Sequence, residues 1–135
     1  FYIASAIYKS GQIEVLLEKG WVICDRYIYS TFAHHKVRGA DLSLVSHLPK
    51  LPIRLPDFHF LVKAREDVRM ERAQVRKGRT PQDLIPKKKG SLIEKMEQAL
   101  EQFKPIIVDN TDPDPHVAVS KIMETLQISA PRRKK

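Results

Sequence analysis

The chain has a single cysteine, Cys24, in 135 residues, so no internal disulfide can staple it. It has no apolar run of membrane-spanning length and no signal-peptide pattern, which leaves no expected membrane partner and suits a reducing, cytoplasmic setting. Internal repeats are absent, and the only low-complexity stretch is the basic tail Pro131-Arg132-Arg133-Lys134-Lys135, expected to be solvated. Acidic residues are scarce: 16 Asp and Glu stand against 24 Lys and Arg, a net charge of +8. That imbalance favours a polyanionic partner, whether a nucleotide, a nucleic acid or a phosphorylated surface, and does not choose among them. What is present is enough for one folded core: 42% of residues are hydrophobic and 30% charged.

The chain is organised around Trp21-Val22-Ile23-Cys24-Asp25-Arg26-Tyr27. An unbroken apolar run predicts a strand covered on both faces, as in a parallel sheet, with Cys24 as a small buried hydrophobe. Ligands of open α/β folds gather past the carboxyl ends of such strands. There a carboxylate, Asp25, can hold a hydrated magnesium ion, and a guanidinium, Arg26, can grip a phosphate with its planar fork. A surface ion pair at a strand end is the plainer alternative.

Upstream, residues 1–19 predict a helix with Ile3, Ile7, Tyr8, Val15, Leu16 and Leu17 on one broad face, which offers a surface for a homodimer. Gly11 costs this helix roughly 1 kcal/mol against alanine and marks a possible bend. The chain opens at Phe1 straight into helical periodicity with no cap before it, as expected of a chain that begins inside an element. Downstream, residues 28–35 predict a turn into helix. Its hydroxyls and imidazoles either face a ligand or serve as a cap at Ser30 and exposed side chains at His34 and His35. No other His, Cys or carboxylate stands at metal-ligand spacing from that pair.

Asp41 caps a short helix within 36–47, and Pro49, Pro52 and Pro56 punctuate a connector. Phe58–Val62 reads as a second buried strand, with His59 a satisfied core histidine. Residues 66–77 read as a helix carrying Val68, Met70, Ala73 and Val75. A basic loop with Arg79, Lys87, Lys88 and Lys89 follows, either closing over a phosphate-bearing ligand or simply solvated. Ser91-Leu92-Ile93-Glu94 opens another helix with a capping box. Pro105–Asp109 is a third strand. Asp114 and Pro115 start the last helix, with Val119, Ile122, Met123 and Leu126 facing inward. Strands alternating with helices predict a three-layer α/β/α fold with a parallel sheet. The expected organisation is one domain over 1–130, a basic lid over 76–90 and a basic tail over 131–135.

The order of these segments resembles the thymidylate kinases, nucleoside monophosphate kinases of the P-loop fold. The resemblance is carried by Glu18-Lys19-Gly20-Trp21-Val22-Ile23-Cys24-Asp25-Arg26-Tyr27, which is similar to the family's strand ending in Asp-Arg-Tyr or Asp-Arg-His. Ser30-Thr31-Phe32-Ala33-His34-His35 is similar to its Ser-Ser/Thr-x-Ala-Tyr-Gln segment. Leu55-Pro56-Asp57-Phe58-His59-Phe60-Leu61-Val62 resembles its Pro-Asp strand, Arg72 to Arg79 its arginine-bearing lid, and Ile107-Val108-Asp109-Asn110 its last strand. The resemblance implies phosphoryl transfer from ATP, with Mg2+, to a deoxynucleoside monophosphate, with dTMP the family's acceptor. It implies that Arg26 grips the acceptor phosphate and that Asp25 helps hold the metal. Tyr27, Ser30, Thr31, His34 and His35 line the acceptor, Arg72, Arg76 and Arg79 neutralise the transferring phosphoryl group, and Arg72 and Asn110 lie on the ATP side. Such chemistry needs positioning and cations more than covalent help.

Three departures set further expectations. No stretch matches Gly-x-x-x-x-Gly-Lys-Ser/Thr, so the fold is expected to be truncated at its N-terminal side and these 135 residues alone to show little or no kinase activity. An arginine that the resembled family usually carries in its helix here would align near Ser5. His34 and His35 replace Tyr-Gln, which bears on base choice. The competing readings are a polyanion- or nucleic-acid-binding module and a kinase-like domain that binds nucleotide without catalysis.

Overall fold

The computed structural model describes residues 2–41, 43–75 and 90–129. The chain forms two compact units. One comprises Phe1–His59 with Lys87–Pro105, the other Phe60–Pro86 with Ile106–Lys135.

The first unit is helical. Helix α1 spans Tyr2–Leu17 and runs unbroken through Gly11. After the 21–27 segment come α2 (Ile28–Val37), a 3-10 helix over Ser43–Lys50, and α4 (Gly90–Glu101), which packs on α2. Ala6 of α1, Ile28 and Phe32 of α2, Leu48 and Ile53 make the core, with Tyr27, Tyr29, Leu55 and Phe103 packed against it. Ala33 and Ala99 are also buried, so small side chains occupy buried positions on both α2 and α4. The aromatic ring of Phe103 stacks on Tyr29 at 4.7 Å.

The second unit holds the sheet. Strand β1 (Phe60–Lys63) pairs in parallel with β2 (Ile106–Asp109), in the register Phe60 to Ile106 through Lys63 to Asp109. Helix α3 (Glu66–Val75) lies between them in sequence. Helix α5 (Pro115–Ser129) follows and packs on β2, where Val108 and Ala118 are buried. The Asp114 carboxylate accepts the His116 N–H at 2.9 Å, and Pro115 takes the first helical position, where a missing N–H costs nothing.

Several expectations are corrected. Residues 21–24 form no strand. Ile23 is 95% exposed, Trp21 is largely exposed, and Cys24 is exposed rather than buried. An apolar run becomes a strand only when a neighbouring backbone takes up its N–H and C=O groups, and the sheet of the described residues has two strands, not three. The short helix expected after the Asp41 cap does form, with Asp41 accepting the Ser43 N–H at 2.9 Å, but it is a 3-10 helix that runs on through Pro49 to Lys50.

The broad apolar face of α1 is not the buried one. Ile7, Tyr8, Val15 and Leu16 are exposed, while Ala6 and Ser10 are buried. Met70, Val75, Val119 and Met123 are exposed too. His59 is half-buried but not satisfied, for its Nδ1 has no hydrogen-bond partner. Arg76, Arg79, most of the 76–90 loop and the 131–135 tail lie outside the described residues.

Candidate functional site

A cleft of about 220 Å³ opens in the first unit where the end of the 21–27 segment meets α1 and α2. It is lined by Ser5, Ala6, Lys9, Arg26, Tyr27, Ile28 and Thr31. Of the expected acceptor residues it gathers Arg26, Tyr27 and Thr31. Asp25 is exposed just outside it, and Ser30, His34 and His35 are not in its lining.

Arg26 has φ +57°, the left-handed region, which a residue with a Cβ occupies at a cost of roughly 1–2 kcal/mol. Such a conformation persists where its surroundings over-determine it, and it falls in the bend at Asp25 and Arg26 that precedes α2. The next residue is held from both ends. The Tyr27 carbonyl accepts the Thr31 N–H at 3.2 Å as α2 begins, and its phenol reaches Ser10 at 2.7 Å and the Ala6 carbonyl at 3.2 Å. Tyr27 is also the N-cap of α2, and no side chain caps that helix end, so the first N–H groups of α2 are left for another acceptor.

Neither the Arg26 guanidinium nor the Lys9 ammonium makes a hydrogen bond or ion pair with a described residue. Two cations, the residue Ser5 and an uncapped helix start therefore share one cleft, a set suited to phosphate oxygens, while the Thr31 hydroxyl beside them donates to the Tyr27 carbonyl at 3.4 Å. The charge here reaches His34 as well. Its pKa is lowered chiefly by desolvation and then by Arg38, His35 and Arg26, and its ring meets that of His35 edge-on at 6.4 Å.

Lys9 was not singled out by reading the sequence. The signal was present, because Ser5 and Lys9 are four residues apart and share one helical face. Lys9 thus brings a cation to the cleft one turn after Ser5.

A second cluster forms in the other unit, around the turn after β2. Arg72 of α3 donates from Nη1 to the Asn110 carbonyl and from Nη2 to the Asp112 carbonyl, each at 2.7 Å. The Asn110 N–H donates to the Lys63 carbonyl at 2.6 Å. Asp109 accepts the Thr111 N–H at 2.8 Å, and its pKa is lowered first by the Thr111 hydroxyl and then by that N–H. The Thr111 hydroxyl in turn accepts the Arg65 N–H at 3.1 Å. The structure thus joins the expected pair Arg72 and Asn110, through the backbone oxygen of Asn110.

Magnesium can be tested against the donor set. Mg2+ keeps several waters and is held by one or two carboxylates together with phosphate oxygens. Asp25 is exposed and makes no ion pair with a described residue, so it fits as one such carboxylate. Among the described residues no group of three His, Cys, Asp or Glu forms a metal cage. No helix among them is long and apolar enough to cross a membrane.

Comparison with known proteins bears on the family. The model of the thymidylate kinase family matches residues 1–122. A probable thymidylate kinase of Methanocaldococcus jannaschii is 26% identical over 110 residues, covering 82% of this chain and 56% of that protein. A probable thymidylate kinase 2 of Saccharolobus solfataricus is 36% identical over 58 residues, 42% of this chain and 27% of that protein. The chain therefore spans about half or less of the length of these relatives. No solved structure matches it significantly. With the Asp-Arg-Tyr segment, the cleft beneath it and a family match over nearly the whole sequence, the chain belongs to the thymidylate kinase family.

Proposed function

We propose that this chain provides the acceptor side of a nucleotide kinase that transfers the γ-phosphoryl group of ATP to a deoxynucleoside monophosphate, dTMP in the first instance. The observation that carries the reading is the cleft that places Lys9 and Arg26 together beside the uncapped start of α2. In the reaction an oxygen of the acceptor phosphate attacks the γ-phosphorus, the bond to the β–γ bridging oxygen breaks, and ADP departs with that electron pair.

Two dianionic groups must approach each other, so the residues' task is to neutralise charge and fix geometry. Arg26 and Lys9 hold the acceptor phosphate, and Thr31 lines the cleft beside it. Asp25 would hold the waters of a magnesium ion, which would supply charge neutralisation. Ser30, His34 and His35 stand further along α2, on the side given to the base and sugar. Arg76 and Arg79 belong to the lid, and the Arg72–Asn110 cluster belongs to the ATP side. The two-stranded parallel sheet is read as part of a three-layer α/β/α fold, in a single domain over 1–130 whose setting is the cytoplasm.

Titration of the chain with dTMP, dUMP, dCMP and dAMP tests the reading, beside an ADP-release assay. The expected result is preferential binding of dTMP with weak salt dependence and little turnover by these 135 residues alone. Single-stranded DNA binding tighter than any monophosphate, indifferent to base and falling steeply with salt, would instead favour a polyanion-binding module.

A further inference from the structure

We propose that Ser10 is a positioning residue for this cleft. Through the Tyr27 phenol it holds Arg26 in its left-handed conformation and so aims the guanidinium at the ligand. The inference rests on the acceptor-cleft reading only for its ligand. Its geometry stands on hydrogen bonds alone.

Ser10 is the buried polar side chain among the described residues, 5% exposed on a helix whose Ser5, Lys9, Gln12 and Glu14 are exposed. Its hydroxyl has one hydrogen and two acceptor lone pairs, and all three are used. The hydrogen goes to the Ala6 carbonyl at 2.8 Å. The Arg54 backbone N–H donates to the oxygen at 2.9 Å. That leaves the second lone pair for the Tyr27 O–H at 2.7 Å, with the Ala6 carbonyl a weaker second acceptor at 3.2 Å.

One oxygen therefore ties together α1, the connector at Arg54 and the residue after Arg26. The connector end is itself fixed, because the Arg54 side chain bonds both Asp57 oxygens at 3.0 and 3.1 Å and reaches Glu14 at 3.8 Å. With the Tyr27 phenol anchored here and its carbonyl bound to Thr31, rotation of Arg26 out of the left-handed region would have to drag Tyr27 out of the core. A serine at this buried helical position adds no apolar burial, so its worth lies in the junction it makes.

The test needs no ligand. Glycine tolerates positive φ and alanine does not. In the otherwise unaltered full chain, Arg26→Gly is expected to melt about 4 °C above Arg26→Ala. If Ser10 holds Arg26 left-handed, the same gap measured with Ser10→Ala present shrinks to about 1 °C or less, because position 26 is then free to relax. A gap that survives Ser10→Ala unchanged overturns the proposal and leaves Ser10 merely structural. Tyr27→Phe, which deletes a single oxygen and keeps the ring in the core, must shrink the gap as well. It serves alone if Ser10→Ala does not fold, and an unchanged gap in it is equally fatal.

A second readout is the preference for dTMP over thymidine, expected to fall about tenfold in Ser10→Ala. If the gap shrinks as expected but the unaltered chain never distinguishes dTMP from thymidine, the junction stands and the acceptor reading fails.

Discussion

The Arg72 guanidinium grasps the backbone carbonyl of Asn110 from one nitrogen and that of Asp112 from the other, at 2.7 Å each. It thereby fixes the turn between β2 and α5 to α3 within the second unit. A planar fork can bridge two carbonyls in this way, whereas an ammonium is a single point charge. Arg72→Ala is expected to lower the stability to urea by about 1 kcal/mol, since charge-assisted bonds at an exposed site give less than buried ones. Arg72→Lys should restore less than half of that. Full recovery with lysine would show that charge alone, not the two-pronged geometry, holds the turn.

Lys9 and Arg26 share the cleft without an acidic partner among the described residues. Lys9→Ala is expected to weaken dTMP binding about tenfold, close to 1.4 kcal/mol, and to leave thymidine binding unchanged. Isothermal titration with both ligands checks this. An equal loss for the two would place Lys9 outside the phosphate's reach.

His59 packs its ring on Tyr29 at 4.4 Å, and its Nδ1 has no partner. Burial lowers its pKa, and burial likewise raises that of Tyr29. A histidine whose folded pKa lies below its unfolded value binds its proton less readily when folded. Its effect is absent above the unfolded pKa, near 6.5, and stability is lost as pH falls from there towards the lowered folded pKa. Denaturant midpoints should therefore drop between pH 7 and pH 5, and His59→Phe should flatten that slope. An unchanged slope in His59→Phe would assign the acid sensitivity to other groups.

The sequence was most informative where a local signal is self-sufficient. Asp114 and Pro115 announce the start of α5, and apolar runs with turn residues at their ends announce β1 and β2. Arg26, Tyr27 and Thr31, which line one cleft, were legible as candidates because acid, base and phenol end an apolar run, and because that order resembles a known family. The run itself misled. Trp21 to Cys24 has strand composition, yet a strand is a property of two backbones, and composition does not reveal whether a neighbour pairs with it.

The face of α1 misled for a related reason. Periodicity points to Ile7, Val15 and Leu16, but the close approach to Tyr27 and Arg54 needs the small residues Ala6 and Ser10. Lys9 was overlooked because a lone lysine on an exposed helix carries no mark of its own until a cleft forms beside it.

The most direct test of the central claim is calorimetric titration of the full chain and of Arg26→Ala with dTMP and with thymidine, ligands that differ by one phosphate. The account predicts that the unaltered chain binds dTMP at least tenfold more tightly than thymidine and that Arg26→Ala erases most of this preference. Equal affinity for the two ligands in the unaltered chain, or a preference that survives Arg26→Ala intact, would contradict it.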